Sequence, residues 1–225
     1  MNCLNFSRNL KSIKLVLVKF SMDYRQLLRQ ITNLLNLGRN HQAKQIVTKF
    51  RIDPSVKTGS SHPSDYKNTG YDKGHLTQCD DLRWSKQSKS ESFLMSSTSP
   101  QTYSFNAGIW KRLEGLMKKY TITFGTIYIA AGSIFEKGLS IIGRNKVSDP
   151  KYFYKVVLVY REHSNGAKGF ILLYKQSKND LLSFAVSVDS VEKRTGIIFF
   201  ALLPVSIKIN WKQHFKRIYG EFSIR

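Results

Sequence analysis

Four stretches in the second half of the chain, at 120–131, 152–161, 168–175 and 182–188, are dominated by β-branched and aromatic residues. Side chains of this kind fit a pleated, half-buried surface, so each stretch is expected to form a strand. Few helical patterns interrupt them, which leaves an α+β domain with a central, mainly antiparallel sheet flanked by helices as the expected fold. Two further elements fit that frame. A short apolar run at 92–96 suits a buried strand, and 106–119 reads as a helix with Trp110, Leu113, Leu116 and Met117 on one face and lysines around the rest. Residues 189–195 read as a short helical turn stopped by Gly196.

A chain of 225 residues is long enough for one large domain with a sizeable core. Its charge is more telling than its size. Lysine and arginine number 36 against 15 acids, giving a formal net charge of +21. Such a field attracts polyanions, whether nucleic acid, anionic membrane or acidic polysaccharide. Lys67, Lys86, Lys89, Lys118 and Lys119 are spread along the chain rather than gathered in a tail, which favours a charged domain face over a disordered arm. The two cysteines, Cys3 and Cys79, have neither disulfide-framework nor zinc-ligand spacing.

The first 48 residues differ in character from the rest. Leu27, Leu28, Ile31, Leu34 and Leu35 recur at helical spacing behind a capping pair, Asp23 and Gln26, and Gly38 closes the pattern. One amphipathic helix is therefore expected in 1–48, followed by a single folded domain over 49–225. No apolar run approaches the roughly 18 residues of a membrane span, and membrane insertion is not expected. At 11–20, Lys14 and Lys19 bracket only four apolar residues and no small-residue cleavage site follows, so no export signal is expected there.

The segment from Tyr71 to Glu114 carries the chemistry. Hydrolysis of a phosphodiester needs a base to deprotonate water, a cation to stabilise charge at phosphorus and on the leaving oxygen, and donors to hold the phosphate. His75, in the run Tyr71-Asp72-Lys73-Gly74-His75-Leu76, has the titration range of a general base near neutral pH. Further along stands Asn106 at the start of the expected helix, with Glu114 behind it. On a regular helix the two are separated by about 12 Å along the axis, so a direct oxygen ligand from Asn106 with Glu114 acting through water is the easier geometry. An ion held by so few protein oxygens suits magnesium. Taken singly, Asn106 also fits a helix N-cap and Glu114 a solvated carboxylate paired with Lys111 or Lys118.

Four separated elements occur here in order: Asp72-Lys73-Gly74-His75, then Ser96-Ser97 followed by Pro100-Gln101, then Asn106, Trp110, Leu113 and Glu114 at helical spacing, then the strand-rich runs beginning at Val147, Lys168 and Leu181. This set resembles the DNA/RNA non-specific endonucleases of the ββα-metal class, the endonuclease G-like and secreted bacterial nucleases, over roughly 50–204. The resemblance implies a ββα-metal nuclease fold and hydrolysis of DNA and RNA to 5′-phosphate products. It implies His75 as general base, Asn106 as the direct protein ligand to Mg2+ (with Mn2+ as a substitute), Glu114 hydrogen-bonded to water on that ion, and Asp72 as an orienting group. Lys73 would contact the phosphate, and Gln101 and Lys118 would support contacts to substrate. A homodimer and a secreted or periplasmic location are compatible with the same resemblance.

The sequence departs from the pattern at several points. Lys73 stands where the family has arginine, which keeps the charge and loses the planar fork. Ser97 replaces an asparagine, and Ala131-Gly132-Ser133 stands where the family has TGP. The family's upstream W-V-x-Y strand and arginine have no match in 1–49. These departures make a catalytically impaired nucleic-acid binder the alternative to an active nuclease.

Overall fold

The computed structural model describes residues 16–17, 48–56, 59–79, 86–124, 127–159 and 166–201. The helix expected between Asp23 and Gly38 lies outside them. The fold is α+β, with a mainly antiparallel sheet flanked by helices, as in ββα-metal nucleases. Its centre is a five-stranded sheet of order β1-β4-β7-β8-β9, in which β1 is Val16–Leu17, β4 Ile127–Ile134, β7 Tyr152–Val159, β8 Gly166–Leu173 and β9 Ala185–Val186. Every pairing in it is antiparallel.

Both faces of this sheet are covered, which explains why β7 reads as an almost unbroken apolar run rather than an alternating one. On one face Phe153, Val157, Val159, Phe170 and Leu172 pack with Phe105, Trp110, Leu113, Met117, Tyr120 and Phe124. On the other, Tyr154, Val156 and Leu158 pack with Val188, Val191 and Phe199. Helix α2 (Lys111–Phe124) covers the first face, and α3 (Val188–Thr195) the second. The Ser187 side chain accepts the amide proton of Ser190 to start α3, and Gly196 ends it in the left-handed conformation, at φ 70°.

A second ribbon lies outside the main sheet: β2 (Asp72–His75) pairs antiparallel with β3 (Thr98–Gln101), setting Asp72 opposite Gln101 and His75 opposite Thr98. The two strands and the helix that follows form the ββα unit. Helix α1 (Lys86–Glu91) lies between the strands in sequence. Ser133 of β4 donates to Ser99 of β3 at 2.9 Å and so ties ribbon to sheet. A small hairpin, β5 (Ile141–Ile142) with β6 (Val147–Ser148), is strapped to the turn that leads into β2. Asp65 in that turn, itself buried, accepts from the Asn145 side chain at 2.9 Å and from the Asn145 backbone at 3.2 Å. Tyr71, one residue before β2, donates to Asp149 at 2.8 Å.

Three expected elements differ. The strand expected at 120–131 begins at Ile127, because α2 continues to Phe124. Tyr120 and Phe124 extend the buried stripe of Leu113 and Met117 at helical spacing, while Ile122 is 85% exposed; burial of the aromatic pair outweighs the strand preference of the intervening β-branched residues. The 92–96 run forms no strand; there, Leu94 makes a single parallel bridge to Arg51 and a 3-10 turn follows at Met95–Ser97. Of 182–188 only Ala185–Val186 pairs, after a 3-10 turn at Leu181–Phe184.

The packing of α3 against β8 turns on Gly169. A Cβ there would sit 2.4 Å from Val191 Cγ2 and 3.2 Å from the Ser187 carbonyl oxygen. Gly169→Ala is expected to cost about 1–3 kcal/mol through overpacking, or roughly 2–10 °C in Tm. A thermal melt within 1 °C or so of the wild type would show that α3 is free to move away.

Candidate active site

The residues singled out from the sequence are carried by two elements, β2 and the helical segment that runs from Tyr103 into α2. That segment starts earlier than expected. Thr102 is its N-cap residue, Tyr103–Phe105 makes the first turn, and Asn106–Trp110 forms a wide π-type turn before α2. Gly108 breaks from helical geometry inside it, at φ −95° and ψ −113°. Asn106 is therefore not the cap. It sits inside the segment, and its carboxamide Nδ2 donates to Asp72 Oδ2 at 3.2 Å. That bond joins β2 to the helix.

A second bond runs parallel to the first. Trp110 is fully buried, and its indole Nε1 donates to the His75 carbonyl at 3.0 Å. β2 is thus fastened to one helical segment at both ends, through the side chain of Asp72 and the backbone of His75. The His75 ring lies against Phe50 and Phe93, with ring centroids 5.1 Å away in both cases. Its Nε2 is buried and has no hydrogen-bond partner among the described residues. Burial in this aromatic setting lowers the histidine pKa below its ordinary value, because the charged imidazolium would be poorly solvated.

Lys73 shares the His75 side of β2, since side chains two apart on a strand point the same way. Its ammonium lies 5.6 Å from the Phe50 ring centroid and 5.8 Å from that of Tyr66. On the opposite side of the strand, next to Asp72, Gly74 faces Gln101. A Cβ at Gly74 would sit 2.1 Å from Gln101 Oε1, so only glycine admits this approach. Gln101 is fully buried, and neither polar atom of its carboxamide has a hydrogen-bond partner among the described residues.

Glu114 follows Trp110 by one helical turn and is only 6% exposed. It is not the solvated surface carboxylate that its lysine neighbours would allow; Lys111 and Lys118 are both exposed. The structure therefore brings Asp72 and Asn106 into contact, ties His75 to the same helix, buries Glu114 and Gln101, and leaves Lys118 on the outer helix surface.

Among the described residues no group of three or more His, Cys, Asp or Glu side chains could hold a metal ion. The donors around Asn106 suit a different kind of site. With Nδ2 committed to Asp72, the carboxamide oxygen is the atom left to face a cation, and Glu114 adds a buried carboxylate on the same helix. Hard oxygen donors, few in number, fit a largely hydrated magnesium ion and not a zinc site.

Three participants were not evident from the sequence as parts of the site. Phe50 and Phe93 line the His75 ring, and no local pattern marked them. Trp110 was legible as a core and motif position of the helix, but not as the partner of the His75 backbone.

The chain is 30% identical over 178 residues to the mitochondrial nuclease EXOG of Danio rerio, covering 72% of this chain and 52% of that protein. It is 32% identical over 173 residues to nuclease C1 of Cunninghamella echinulata var. echinulata, covering 71% of this chain and 69% of the relative. The chain thus spans about half the length of the EXOG relative and rather more of the fungal one. A crystal structure of the EndoG/EndoGI complex matches with a TM-score of 0.65 at 25% identity, covering 77% of each chain. The family model for DNA/RNA non-specific endonucleases matches residues 16–206, reaching upstream to the edge strand β1, and the chain belongs to that family.

Proposed function

We propose that the chain is a metal-dependent, sugar-nonspecific endonuclease that hydrolyses phosphodiester bonds of DNA and RNA and leaves 5′-phosphate ends. The observation that carries this reading is the double fastening of β2 to the helical segment, Asp72 to Asn106 and His75 to Trp110. It holds a base-bearing strand and a ligand-bearing helix in fixed relation, as hydrolysis at a single phosphate requires.

In this reading His75 removes the proton from the attacking water. Its lowered pKa keeps the imidazole neutral, and so able to accept, at pH 7. Asn106, oriented by Asp72, would hold Mg2+ or Mn2+ through its carboxamide oxygen, and Glu114 would support the ion through water. When bound, the cation neutralises charge on the phosphate and on the departing oxygen. Lys73 meets a phosphate oxygen from the His75 side of β2, Lys118 adds positive charge along the helix, and Gln101 supports β2 from behind. The net charge of +21 provides backbone-directed attraction that does not depend on base sequence.

With Mg2+ the protein should degrade both plasmid and RNA, and EDTA should stop it. His75→Ala should lower kcat by at least about a hundredfold, the scale of a positioned acid–base group, while duplex binding measured in EDTA stays within twofold. Equal cleavage by the variant would remove the mechanism, and salt-sensitive binding with no cleavage by the wild type would select an impaired nucleic-acid binder.

The pH profile has a definite sign. A base whose pKa is depressed stays deprotonated further into the acid range, so the acid limb of kcat/KM should fall below the ordinary histidine value of 6.5. A limb centred above that value, lost in His75→Ala, would contradict the aromatic burial of the ring.

Asp72→Ala tests the orientation of Asn106. Loss of a partner that aims a ligand typically weakens metal affinity by about 10–100-fold. The Mg2+ concentration for half-maximal activity should rise accordingly while DNA binding in EDTA stays unchanged. An unaltered Mg2+ titration would separate Asp72 from the metal site.

A further inference from the structure

One buried charge has no part in the mechanism above. β7 is buried along almost its entire length, yet Lys155 stands in its middle and is 2% exposed. An ammonium out of water is costly unless its charge and its protons are met. Lys155 Nζ donates to the Leu76 carbonyl at 2.8 Å and lies 4.2 Å from the centroid of the Trp110 ring. Trp110 in turn donates to the carbonyl of His75. Two consecutive carbonyls at the end of β2 are therefore gripped by two side chains that also touch each other. The Leu76 amide is held as well, by the Ser97 carbonyl at 3.0 Å.

We infer that Lys155 is a positioning residue for the nuclease centre: with Trp110 it fixes the backbone of His75 and Leu76, and through it the direction in which the imidazole leaves the strand. The cation over the indole face draws electron density from the ring and strengthens Nε1–H as a donor, so the two grips reinforce each other. The Leu76 carbonyl is thus held from the central sheet and the His75 carbonyl from the helical segment.

The inference rests on His75 as the base, and the experiment keeps the two apart. Lys155→Met (similar in length, without charge), Trp110→Phe and the double variant are compared with wild type and His75→Ala, all as full chains with Mg2+. In each single variant kcat should fall about 10–100-fold, the usual cost of a small misplacement, with KM and duplex binding in EDTA within twofold. Since both substitutions loosen one clamp, the double variant should fall only a fewfold below the worse single one, far short of the product of the two effects. Long-range proton–nitrogen NMR should show the His75 ring resonances shifted or broadened in both single variants. A folded Lys155→Met protein with wild-type kcat and unmoved His75 resonances would overturn the inference. Should Lys155→Met fail to fold, the same result from Trp110→Phe would overturn it. Undiminished cleavage by His75→Ala would sink the base assignment instead, and the ring resonances would still decide whether Lys155 sets the imidazole's place.

Discussion

The indole of Trp110 is the junction on which the rest of this structure depends. It fills the core between helix and sheet, packing on Phe105 and Phe153, and at the same time its one polar atom reaches out of that core to the backbone of β2. A tryptophan can do both because its bulk is apolar and its donor sits at the edge. Each such hydrogen bond contributes only about 1 kcal/mol net; what matters is where it is anchored. The ribbon β2–β3 lies outside the central sheet; besides its own short pairing it is tied down by the serine bridge from β4, the Asp72–Asn106 bond and Lys155. Through Trp110 it inherits the rigidity of the largest hydrophobic cluster in the described residues.

The His75 ring is set among aromatics, which disfavours its charged form, while the excess lysines elsewhere give the chain a net positive charge. In the proposed reaction the two effects serve opposite ends of one task. Long-range attraction needs solvated positive charge, and proton abstraction needs a local setting in which the base stays neutral.

Much of this was legible in the sequence, and the failures have identifiable causes. The long strands at 152–159 and 166–173 stood out because both faces of that sheet are buried, giving runs of β-branched and aromatic residues. In the ββα unit the helix was legible through its apolar face, Trp110, Leu113, Leu116 and Met117, and β2 only through the motif Asp72 to His75. The end of α2 was misread because Thr121, Ile122 and Thr123 favour a strand locally while Tyr120 and Phe124 are captured by the core. Asn106 was mistaken for a helix start since a π-type turn has no sequence signature apart from a permissive residue such as Gly108. Phe50 and Phe93 could not be assigned to His75 from sequence at all, because contacts between distant segments leave no local mark.

The strap between Asp65 and Asn145 has a consequence for how such a chain tolerates change. Gly143 sits at φ 66°, and a Cβ there would lie 2.3 Å from that of Asp65, so the hairpin tip is pressed against the turn that precedes the DKGH strand. Surface hairpins are ordinarily where lineages gain or lose residues with little penalty. Here the tip is a buttress: lengthening it would push on the approach to β2, so sequence drift in this loop is coupled to the geometry of a strand that it never joins.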